Sequence, residues 1–438
     1  MDTLQAKEQV VKAGKQLVES GLIVRTWGNV SCRISSTQFA ITPSGLPYET
    51  LTPAEIVVVN IADASYEGNI KPSSEKGFHA AIYKQRNDVN FIVHTHQAAA
   101  SALSPLQMDF EVKNSEAASI MGQKILCASY GLPGSKKLIK AITDAISSSD
   151  GKAFLMAYHG ALCLGENYEE AFRVAAALED ECESIISRQY MQISGKEAAD
   201  PDYIRDYFLA LHTSAGNRDV GSIGDNSGPF AAKKNSPTPL YNSEKAGDHF
   251  KLYLNAHEED PFPAGGDRSS INNGKNIIEV SLKPSPQEKN TANLPAAAFI
   301  HREIYRKNKN VRAIVHTTSP DILAVSCAGK KLHPLLDDFA QIIGTGAPTV
   351  ANDLSLAGAR KIARKFKRPS GLLIQNNGAL CCGPTKSDAV AAKLAMGKNC
   401  KTRIATSLFK EPKPLNPLES LVMRIYYQVK YSREAQKK

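Results

Sequence analysis

FHAAIYKQRNDVNFIVHTH at residues 78–96 and IHREIYRKNKNVRAIVHTT at residues 300–318 decide the fold, because they carry one pattern twice. Eight of the 19 positions are identical when the two stretches are aligned without a gap. Downstream, AFLMAYHGALCLG at 153–165 is followed in the same order by GLLIQNNGALCCG at 371–383. The chain is therefore predicted to be a tandem duplication of one folding unit.

The two copies define the main domains. Residues 1–200 alternate between helical and strand periodicity, which predicts a first α/β domain. Residues 276–410 keep the same core pattern and are predicted to form a second α/β domain. Because this copy has no convincing counterpart of residues 25–53, we expect it to be a shortened version of the first.

The remaining segments differ in composition from the two copies. Gly, Pro, Asn and Ser dominate 213–240 and 255–275, so we expect 201–275 to be a linker and irregular connection. Residues 411–438 are predicted to form a C-terminal amphipathic helix and tail. Its apolar positions form one helical face, which we expect to pack against the protein: Leu418, Leu421, Val422, Ile425 and Val429.

Composition excludes several classes of protein. The chain has 438 residues with 42% hydrophobic and 22% charged side chains, enough for two or three ordinary cores. No apolar run approaches the roughly 20 residues of a membrane span, and the N-terminus lacks the apolar core of a signal peptide. The eight cysteines contain no C-x-x-C pair, so reduced thiols in a cytoplasmic protein are predicted.

Charge is distributed unevenly along the chain. Residues 1–219 carry 20 basic and 26 acidic side chains, a balance of −6, whereas residues 220–438 carry 33 and 18, a balance of +15. The basic residues are scattered and no nucleic-acid-binding motif accompanies them, so a nucleic-acid partner is not predicted. The asymmetry fits either a contact between the halves or attraction of an anionic substrate.

Three histidines could bind one metal ion. His94 and His96 end the apolar run FIVHTH, and the two-residue period of a strand places them on one face. His159 follows the apolar run AFLMAY, where a strand would end. Three imidazoles with an open fourth position are the ligand set of catalytic zinc. Taken singly, each would be an ordinary strand-end or turn histidine.

Glu75 in KPSSE directly precedes a predicted helix, and His94 follows that helix in the sequence. A carboxylate near a divalent metal can remove a proton from carbon next to a metal-bound carbonyl, because the metal stabilises the resulting enediolate. A first-turn glutamate favoured by the helix dipole is the structural alternative. Three small polar loops, TWGNVS at 26–31, TPSG at 42–45 and PSS at 72–74, have a composition that suits a phosphate dianion.

In this order, GNVS, ITPSG, KPSSE, HTH and HGAL resemble the class II aldolase/adducin family over residues 1–195. The resemblance implies a three-layer α/β/α fold with a mixed, mostly antiparallel sheet, present here in two tandem copies. It also implies that zinc binds His94, His96 and His159, and that Glu75 is the acid/base carboxylate. The implied phosphate and substrate residues are Gly28, Asn29, Ser44, Gly45, Ser73 and Ser74. Family members commonly assemble as homotetramers with sites between subunits.

The resemblance implies a zinc-dependent lyase acting on a small, phosphorylated ketose or sugar acid. Glutamate after the paired serines is typical of the aldolases, whereas 4-epimerases have aspartate there. Dehydratases and decarboxylases share a similar site and remain alternatives, as does a non-catalytic adducin-like assembly protein. The aldolases place a proton-donating tyrosine between the second and third histidines, but Tyr130 is the only tyrosine in residues 97–157.

The second copy has lost part of this ligand set. His316 is retained opposite His94, but Thr318 replaces His96 and Asn377 replaces His159. One imidazole with Thr and Asn holds zinc weakly, so we expect one zinc per chain, in the first copy. We also expect the second copy to stand in for a neighbouring subunit and to form part of the wall around the first copy's site.

Overall fold

The computed structural model describes residues 1–20, 22–23, 27–213, 230, 237–254, 261–262, 277–283, 294–366 and 370–434. Within these residues there are two β-sheets, one from each copy, with helices on both faces of each sheet. The predicted α/β class and the tandem arrangement are therefore confirmed. Most of the irregular segments expected within 213–240 and 255–275 lie outside the described residues.

The first sheet has eight strands among the described residues, in the order β3-β2-β1-β4-β8-β7-β6-β5. They are β1 (Asn29–Arg33), β2 (Gln38–Ile41), β3 (Val57–Asn60), β4 (Phe91–Thr95), β5 (Phe110–Glu111), β6 (Lys124–Ala128), β7 (Ala153–Met156) and β8 (Gly160–Gly165). All neighbours are antiparallel except β6 and β7, so the sheet is mixed and mostly antiparallel, as expected.

The second sheet has the order β11-β10-β9-β12-β15-β14-β13. Its strands are β9 (Asn242–Ala246), β10 (His249–Tyr253), β11 (Ile277–Ser281), β12 (Ala313–Thr317), β13 (Thr349–Val350), β14 (Gly371–Ile374) and β15 (Ala379–Gly383). Its single parallel pair, β13 with β14, matches the pair β6 and β7. Apart from the edge strand β5, the two sheets as described therefore share one topology.

The expectation that the second copy lacks a counterpart of residues 25–53 is wrong. Strands β9 and β10 occupy the positions that β1 and β2 have in the first sheet. Both strands lie within 201–275, so that region is not a linker throughout. Spatial pairing identifies the counterparts, since Ser31 pairs with Ile92 of β4 and Ser243 pairs with Ile314 of β12. A sequence comparison without gaps does not find this part of the repeat, because Ser243 lies farther from β12 in the sequence than Ser31 lies from β4.

Helices complete the layers. They are α1 (Thr3–Glu19), α2 (Lys76–Gln85), α3 (Ala98–Leu103), α4 (Ser115–Met121), α5 (Lys136–Ser147), α6 (Tyr168–Ser194), α7 (Pro201–His212), α8 (Ala296–Lys307), α9 (Pro320–Cys327), α10 (Asp337–Ile342), α11 (Leu356–Lys365), α12 (Lys386–Thr406) and α13 (Pro417–Glu434). Apolar residues of α2 and α5 cover one face of the first sheet, and those of α8 and α11 cover the corresponding face of the second.

One hydrophobic core joins the two copies. It contains Phe91 and Val93 of β4 together with Ala313 and Val315 of β12, and apolar residues of the helices between the sheets. Because burial of apolar surface drives folding, a core shared by both sheets ties the copies to each other. This contact places α10 and α12 of the second copy beside the end of β4.

Helix α13 begins as predicted but presents a different face to the protein. The Asn416 side chain accepts a hydrogen bond from the Leu418 N–H at 2.8 Å, as an N-cap residue does. The apolar residues expected to pack are 42–69% exposed: Leu418, Leu421, Val422, Ile425 and Val429. The helix packs instead through Ser420, Met423 and Arg424, which are buried. Arg424 reaches the carbonyl of Ile342 in α10.

All eight cysteines lie among the described residues, and each is a free thiol. None of the helices that the structure describes has the length and hydrophobicity needed to span a bilayer.

Candidate active site

The end of strand β4 positions two histidines. Alternation along the strand sends Phe91 and Val93 into the core between the sheets and Ile92 to the opposite face, against α2. His94 has the parity of Ile92 and is fully buried, and His96 follows the strand with 7% exposure. Both imidazoles therefore lie near the N-terminal end of α2.

The turn between β7 and β8 positions the third histidine. Tyr158 has φ of 62°, a left-handed conformation that is uncommon outside glycine. Gly160 lies against β4, because a Cβ there would be 2.2 Å from the carbonyl oxygen of Thr95. This close approach brings His159, which lies between these two residues, beside His94.

The three Nε2 atoms converge on one point. His94 Nε2 lies 3.1 Å from His96 Nε2 and 3.0 Å from His159 Nε2. Nitrogens bound to Zn²⁺ at about 2.0–2.1 Å in a tetrahedral arrangement would be roughly 3.3 Å apart. The spacing therefore suits a single zinc ion.

The outer ring nitrogens support the same assignment. His94 Nδ1 lies 2.8 Å from the carbonyl oxygen of Ala161, and a carbonyl can only accept, so Nδ1 carries the proton. His159 Nδ1 is in ion-pair contact with Asp337 Oδ2. Protonated outer nitrogens leave the Nε2 lone pairs directed inwards, where a metal ligand needs them. The donor set fits zinc.

Glu75 closes the site above the histidines. It is the N-cap residue of α2 but makes no side-chain capping bond, and its carboxylate points to the imidazoles instead. Oε2 lies 3.3 Å from His94 Nε2, and Oε1 lies 3.2 Å from His159 Nε2. Burial alone would raise the pKa of Glu75, but the neighbouring histidines outweigh burial and hold it below its ordinary value. Glu75 is therefore a carboxylate at neutral pH.

Charge around His159 is strongly negative. Burial alone would lower the pKa of this imidazole, but Asp337 and Glu75 together raise it to about 10. At His94 and His96 burial outweighs the attraction of the nearby carboxylates, and it lowers the pKa of both. A site with two carboxylates against three imidazoles favours a divalent cation.

A chain of buried hydrogen bonds orients Glu75. The Asn29 Nδ2 donates to Glu75 Oε2 at 2.8 Å, and the Asn29 Oδ1 accepts from His79 Nε2. Burial lowers the pKa of His79 to about 3, so this imidazole is neutral and its Nδ1 accepts from the Ser31 hydroxyl at 2.7 Å. Tyr83 then donates to Ser31 at 2.8 Å. The Asn29 amide, expected to bind phosphate, therefore orients Glu75.

Sequence reasoning missed His79 and Tyr83, although the repeat contained a signal for them. Both are identical in the second copy, as His301 and Tyr305. There the same contacts recur, since Ser243 lies 2.7 Å from both His301 Nδ1 and the Tyr305 hydroxyl. Polar residues repeated at buried positions indicate a shared network.

The predicted polar loops meet in one cavity of about 390 Å³ that also reaches Glu75, His96 and His159. Its lining includes every residue that we assigned to phosphate or substrate: Gly28, Asn29, Ser44, Gly45, Ser73 and Ser74. Backbone pairing holds two of the loops together, because Ser44 N donates to Lys71 O at 2.8 Å and Ser73 N donates to Thr42 O at 3.0 Å. Gly28, with φ of 117°, lets its loop lie directly against His94.

The second half of the chain supplies another part of the cavity wall. Gln341 of α10 and Val422, Met423 and Tyr426 of α13 line it. The second copy thus forms part of the wall around the first copy's site. The charged groups that α10 brings to the histidines are acidic, not basic.

The second copy's retained histidine is engaged elsewhere. His316 Nε2 donates to the carbonyl of Asn377 at 2.8 Å, and Nδ1 accepts from the Leu240 N–H at 3.2 Å. Both ring nitrogens therefore have hydrogen-bond partners within the copy. Asn377 occupies the turn position of His159, and its neighbour Asn376 repeats the left-handed conformation with φ of 58°.

Two relatives and one solved structure show what the chain is similar to. A 5-deoxy-D-ribulose 1-phosphate aldolase of Bacillus thuringiensis serovar kurstaki is 34% identical over 174 residues, 40% of this chain and 80% of that protein. An L-fuculose phosphate aldolase of Escherichia coli K12 is 33% identical over 179 residues, 41% of this chain and 81% of that protein. The structure of an L-fuculose 1-phosphate aldolase matches with 30% identity and a TM-score of 0.40, covering 45% of this chain and 91% of that chain.

The family profile described as Class II Aldolase and Adducin N-terminal domain matches residues 8–186 and 263–404, well over half of the chain. The two matched segments correspond to the two copies of the α/β unit. The chain therefore belongs to the class II aldolase and adducin family, as a tandem duplication.

Proposed function

We propose that the chain is a cytoplasmic, zinc-dependent aldolase that cleaves a small phosphorylated ketose or sugar acid. The observation that carries this proposal is the convergence of three Nε2 atoms, 3.0 and 3.1 Å apart, beneath the Glu75 carboxylate. A scaffold protein has no physical need for this arrangement. Bound zinc would polarise the substrate carbonyl and stabilise negative charge on its oxygen.

Glu75 is placed to move a proton at carbon. Cleavage of the carbon–carbon bond leaves an electron pair on the carbon next to the carbonyl, and a proton must be delivered there. Asn29 occupies Oε2 of Glu75, which leaves Oε1 as the oxygen that exchanges the proton. In the reverse direction the same oxygen removes that proton, and Asn29 and His79 keep the carboxylate in position.

A second proton must pass between the protein and the oxygen of the aldehyde product. Of the described residues that line the cavity, two are tyrosines, Tyr48 and Tyr426. The Tyr48 hydroxyl already donates to the carbonyl of Gly28 at 2.8 Å. Tyr130 packs against Tyr158, with ring centroids 5.5 Å apart, and does not line the cavity. We propose Tyr426, which lines the cavity from α13, as the group that exchanges this proton.

Phosphate would bind between the polar loops. Ser44, Gly45, Ser73 and Ser74 bring hydroxyl and backbone N–H donors to one side of the cavity. The two relatives are named for the ketose phosphates 5-deoxy-D-ribulose 1-phosphate and L-fuculose phosphate, which supports a substrate of this class.

Metal analysis and product analysis together test this function. Elemental mass spectrometry of the whole chain should find about one zinc, because only the first copy has three convergent imidazoles among the described residues. Incubation with L-fuculose 1-phosphate and 5-deoxyribulose 1-phosphate should release dihydroxyacetone phosphate and an aldehyde. Loss of water, release of carbon dioxide or an epimer without cleavage would instead indicate the dehydratase, decarboxylase or epimerase. A protein that takes up no zinc when zinc is supplied would refute the proposed function.

A further inference from the structure

Helix α10 of the second copy begins with two buried aspartates that face the first copy's histidines. Asp337 is fully buried and Asp338 is 1% exposed. Asp337 Oδ2 is in ion-pair contact with His159 Nδ1, and Asp338 Oδ2 lies 3.8 Å from His96 Nδ1. Each carboxylate therefore lies beside the outer nitrogen of a different histidine.

Asp337 holds His159 through its backbone as well as its side chain. Its N–H donates to the carbonyl of Tyr158 at 2.9 Å, in the left-handed turn that presents His159. The Tyr158 hydroxyl donates to the carbonyl of Lys413 at 2.9 Å, so the turn is held from two sides by the second half of the chain. A left-handed non-glycine residue persists only where its surroundings enforce it.

Lys398 of α12 supports the other aspartate. Its ammonium is in ion-pair contact with Asp338 and donates to the carbonyl of His96 at 3.1 Å. Asp338 is thereby neutralised within the second copy. Asp337 has no such cation, since among the described residues His159 is the group with which it forms an ion pair.

We propose that Asp337 is the positioning residue of the metal site, supplied by a copy that has lost its own ligands. This inference rests on the proposed function, because it concerns the zinc that His159 would bind. A carboxylate that accepts the outer N–H of a ligating histidine fixes its tautomer and raises its basicity. Lys398, which is ion-paired with Asp338, secures His96 at its backbone carbonyl. The degenerate copy is thus a structural part of the metal site.

A helix-dipole role would explain acidic residues at the start of α10, but it makes a different prediction. Carboxylates that serve only the helix would affect folding and leave zinc affinity unchanged. Asp337→Asn keeps the shape and removes the charge, and Asp337→Glu keeps the charge. Asp206→Asn is the matched control, since Asp206 is also buried and accepts from the Phe230 N–H, away from the histidines.

Zinc affinity is measured on full-length, metal-stripped protein by competition with a chromophoric chelator. We expect Asp337→Asn to weaken affinity by about 10–100-fold, the usual effect of removing such a partner. Asp206→Asn should bind zinc as the wild type does, and Asp337→Glu should recover part of the loss. The visible spectrum of the Co²⁺ form should change in Asp337→Asn, because the His159 ring is no longer held.

Two further measurements separate positioning from folding. Zinc should raise the melting temperature of Asp337→Asn by less than that of the wild type, since stabilisation by a ligand follows its affinity. In a His159→Ala background, Asp337→Asn should cause no additional loss of affinity. The inference would be overturned if Asp337→Asn bound zinc as tightly as the wild type does. It would also be overturned if Asp337→Asn lost the same affinity in the wild-type and His159→Ala backgrounds, and either result would leave the proposed function intact. A wild type that binds no zinc would overturn the proposed function as well.

Discussion

Lys398→Met tests how much the contacts of Lys398 with Asp338 and with the His96 carbonyl stabilise the protein. The Lys398 side chain is 6% exposed and that of its partner Asp338 is 1% exposed, so the ion pair is buried. Methionine has a similar length but no charge, and the substitution leaves Asp338 buried without its cation. Removing one partner of a buried pair costs about 3–5 kcal/mol, because the remaining charge is uncompensated. The hydrogen bond from Lys398 to the His96 carbonyl is lost in the same change.

The expected loss is measurable by thermal and urea unfolding. A chain of this length has an unfolding entropy of about 0.9 kcal/mol/K, so the melting temperature should fall by about 3–5 °C. Trp27 is the single tryptophan, and its ring centroid lies 6.0 Å from Lys398 Nζ, so its fluorescence reports on this contact directly. Circular dichroism gives the unfolding of the whole chain in parallel.

Lys401→Met is the matched control on the same helix. Lys401 also reaches across to the first copy, but its partner Glu183 is 49% exposed, and such pairs contribute about 0–1 kcal/mol. The double variant Lys398→Met/Asp338→Asn removes both charges and should recover most of the loss. A Lys398→Met protein with wild-type stability would refute the proposed contribution of the buried Lys398–Asp338 pair. A double variant less stable than Lys398→Met would refute it as well.

The remaining predictions concern catalysis and pH. Glu75→Gln should keep its zinc and lower turnover by roughly 10²–10⁴-fold, as expected for loss of an acid/base group, measured by release of dihydroxyacetone phosphate. Tyr426→Phe should lower turnover by at least about 10²-fold without changing zinc content. Burial lowers the pKa of His301 to about 3. Between pH 6.5 and pH 3 the His301 imidazole is therefore protonated in the unfolded chain and neutral in the folded chain. Stability should therefore fall as the pH drops from 6.5 towards 3, by about 1.4 kcal/mol per pH unit for this histidine, and His301→Gln should flatten the slope in urea titrations.

The variants of Tyr426 and His301 each have a control in the same element or sheet. Tyr427→Phe alters the neighbouring residue of α13, which packs against the core, and should retain turnover. His249→Gln alters an exposed histidine of the second sheet and should leave the pH slope as it is. Wild-type turnover in Glu75→Gln or in Tyr426→Phe would remove that residue from the mechanism. An unchanged slope in His301→Gln would show that its imidazole is not held neutral.

Much of the fold could be predicted because the repeat is local and its apolar periodicity is regular. FIVHTH and AFLMAY are buried strands, and both end at histidines of the site, as their position in the sequence indicated. The counterpart of the first strands was missed because the alignment that matches His94 with His316 does not match Ser31 with Ser243, which needs a gap. Because the length of the connection differs between the copies, the sequence comparison does not identify the equivalent strand, whereas the strand pairing in the structure does.

The contacts between copies could not be predicted from sequence patterns. Asp337 and Asp338 lie in the second copy, far along the chain from His159, and acidic residues at the start of a helix are ordinary. Helix α13 packs through Ser420, Met423 and Arg424, and Arg424 reaches the Ile342 carbonyl, contacts that the apolar pattern does not indicate. Contacts between the copies and the orientation of a helix are determined by tertiary packing, and short-range periodicity in the sequence does not indicate them.

Because the two copies are covalently linked, the contact between the site and its supporting surface does not depend on association of separate subunits. In a homo-oligomer with sites between subunits, every subunit supplies both an active site and the surface that contacts its neighbour's site. One sequence therefore has to encode both. Here the positions equivalent to Asp337 and Asp338 in the first copy are Ser115 and Glu116, both exposed, and each pair has been free to diverge. Because the supporting surface is tethered, its local concentration does not fall when the protein is diluted. The site should therefore remain complete at nanomolar protein, where a dissociating oligomer would lose it.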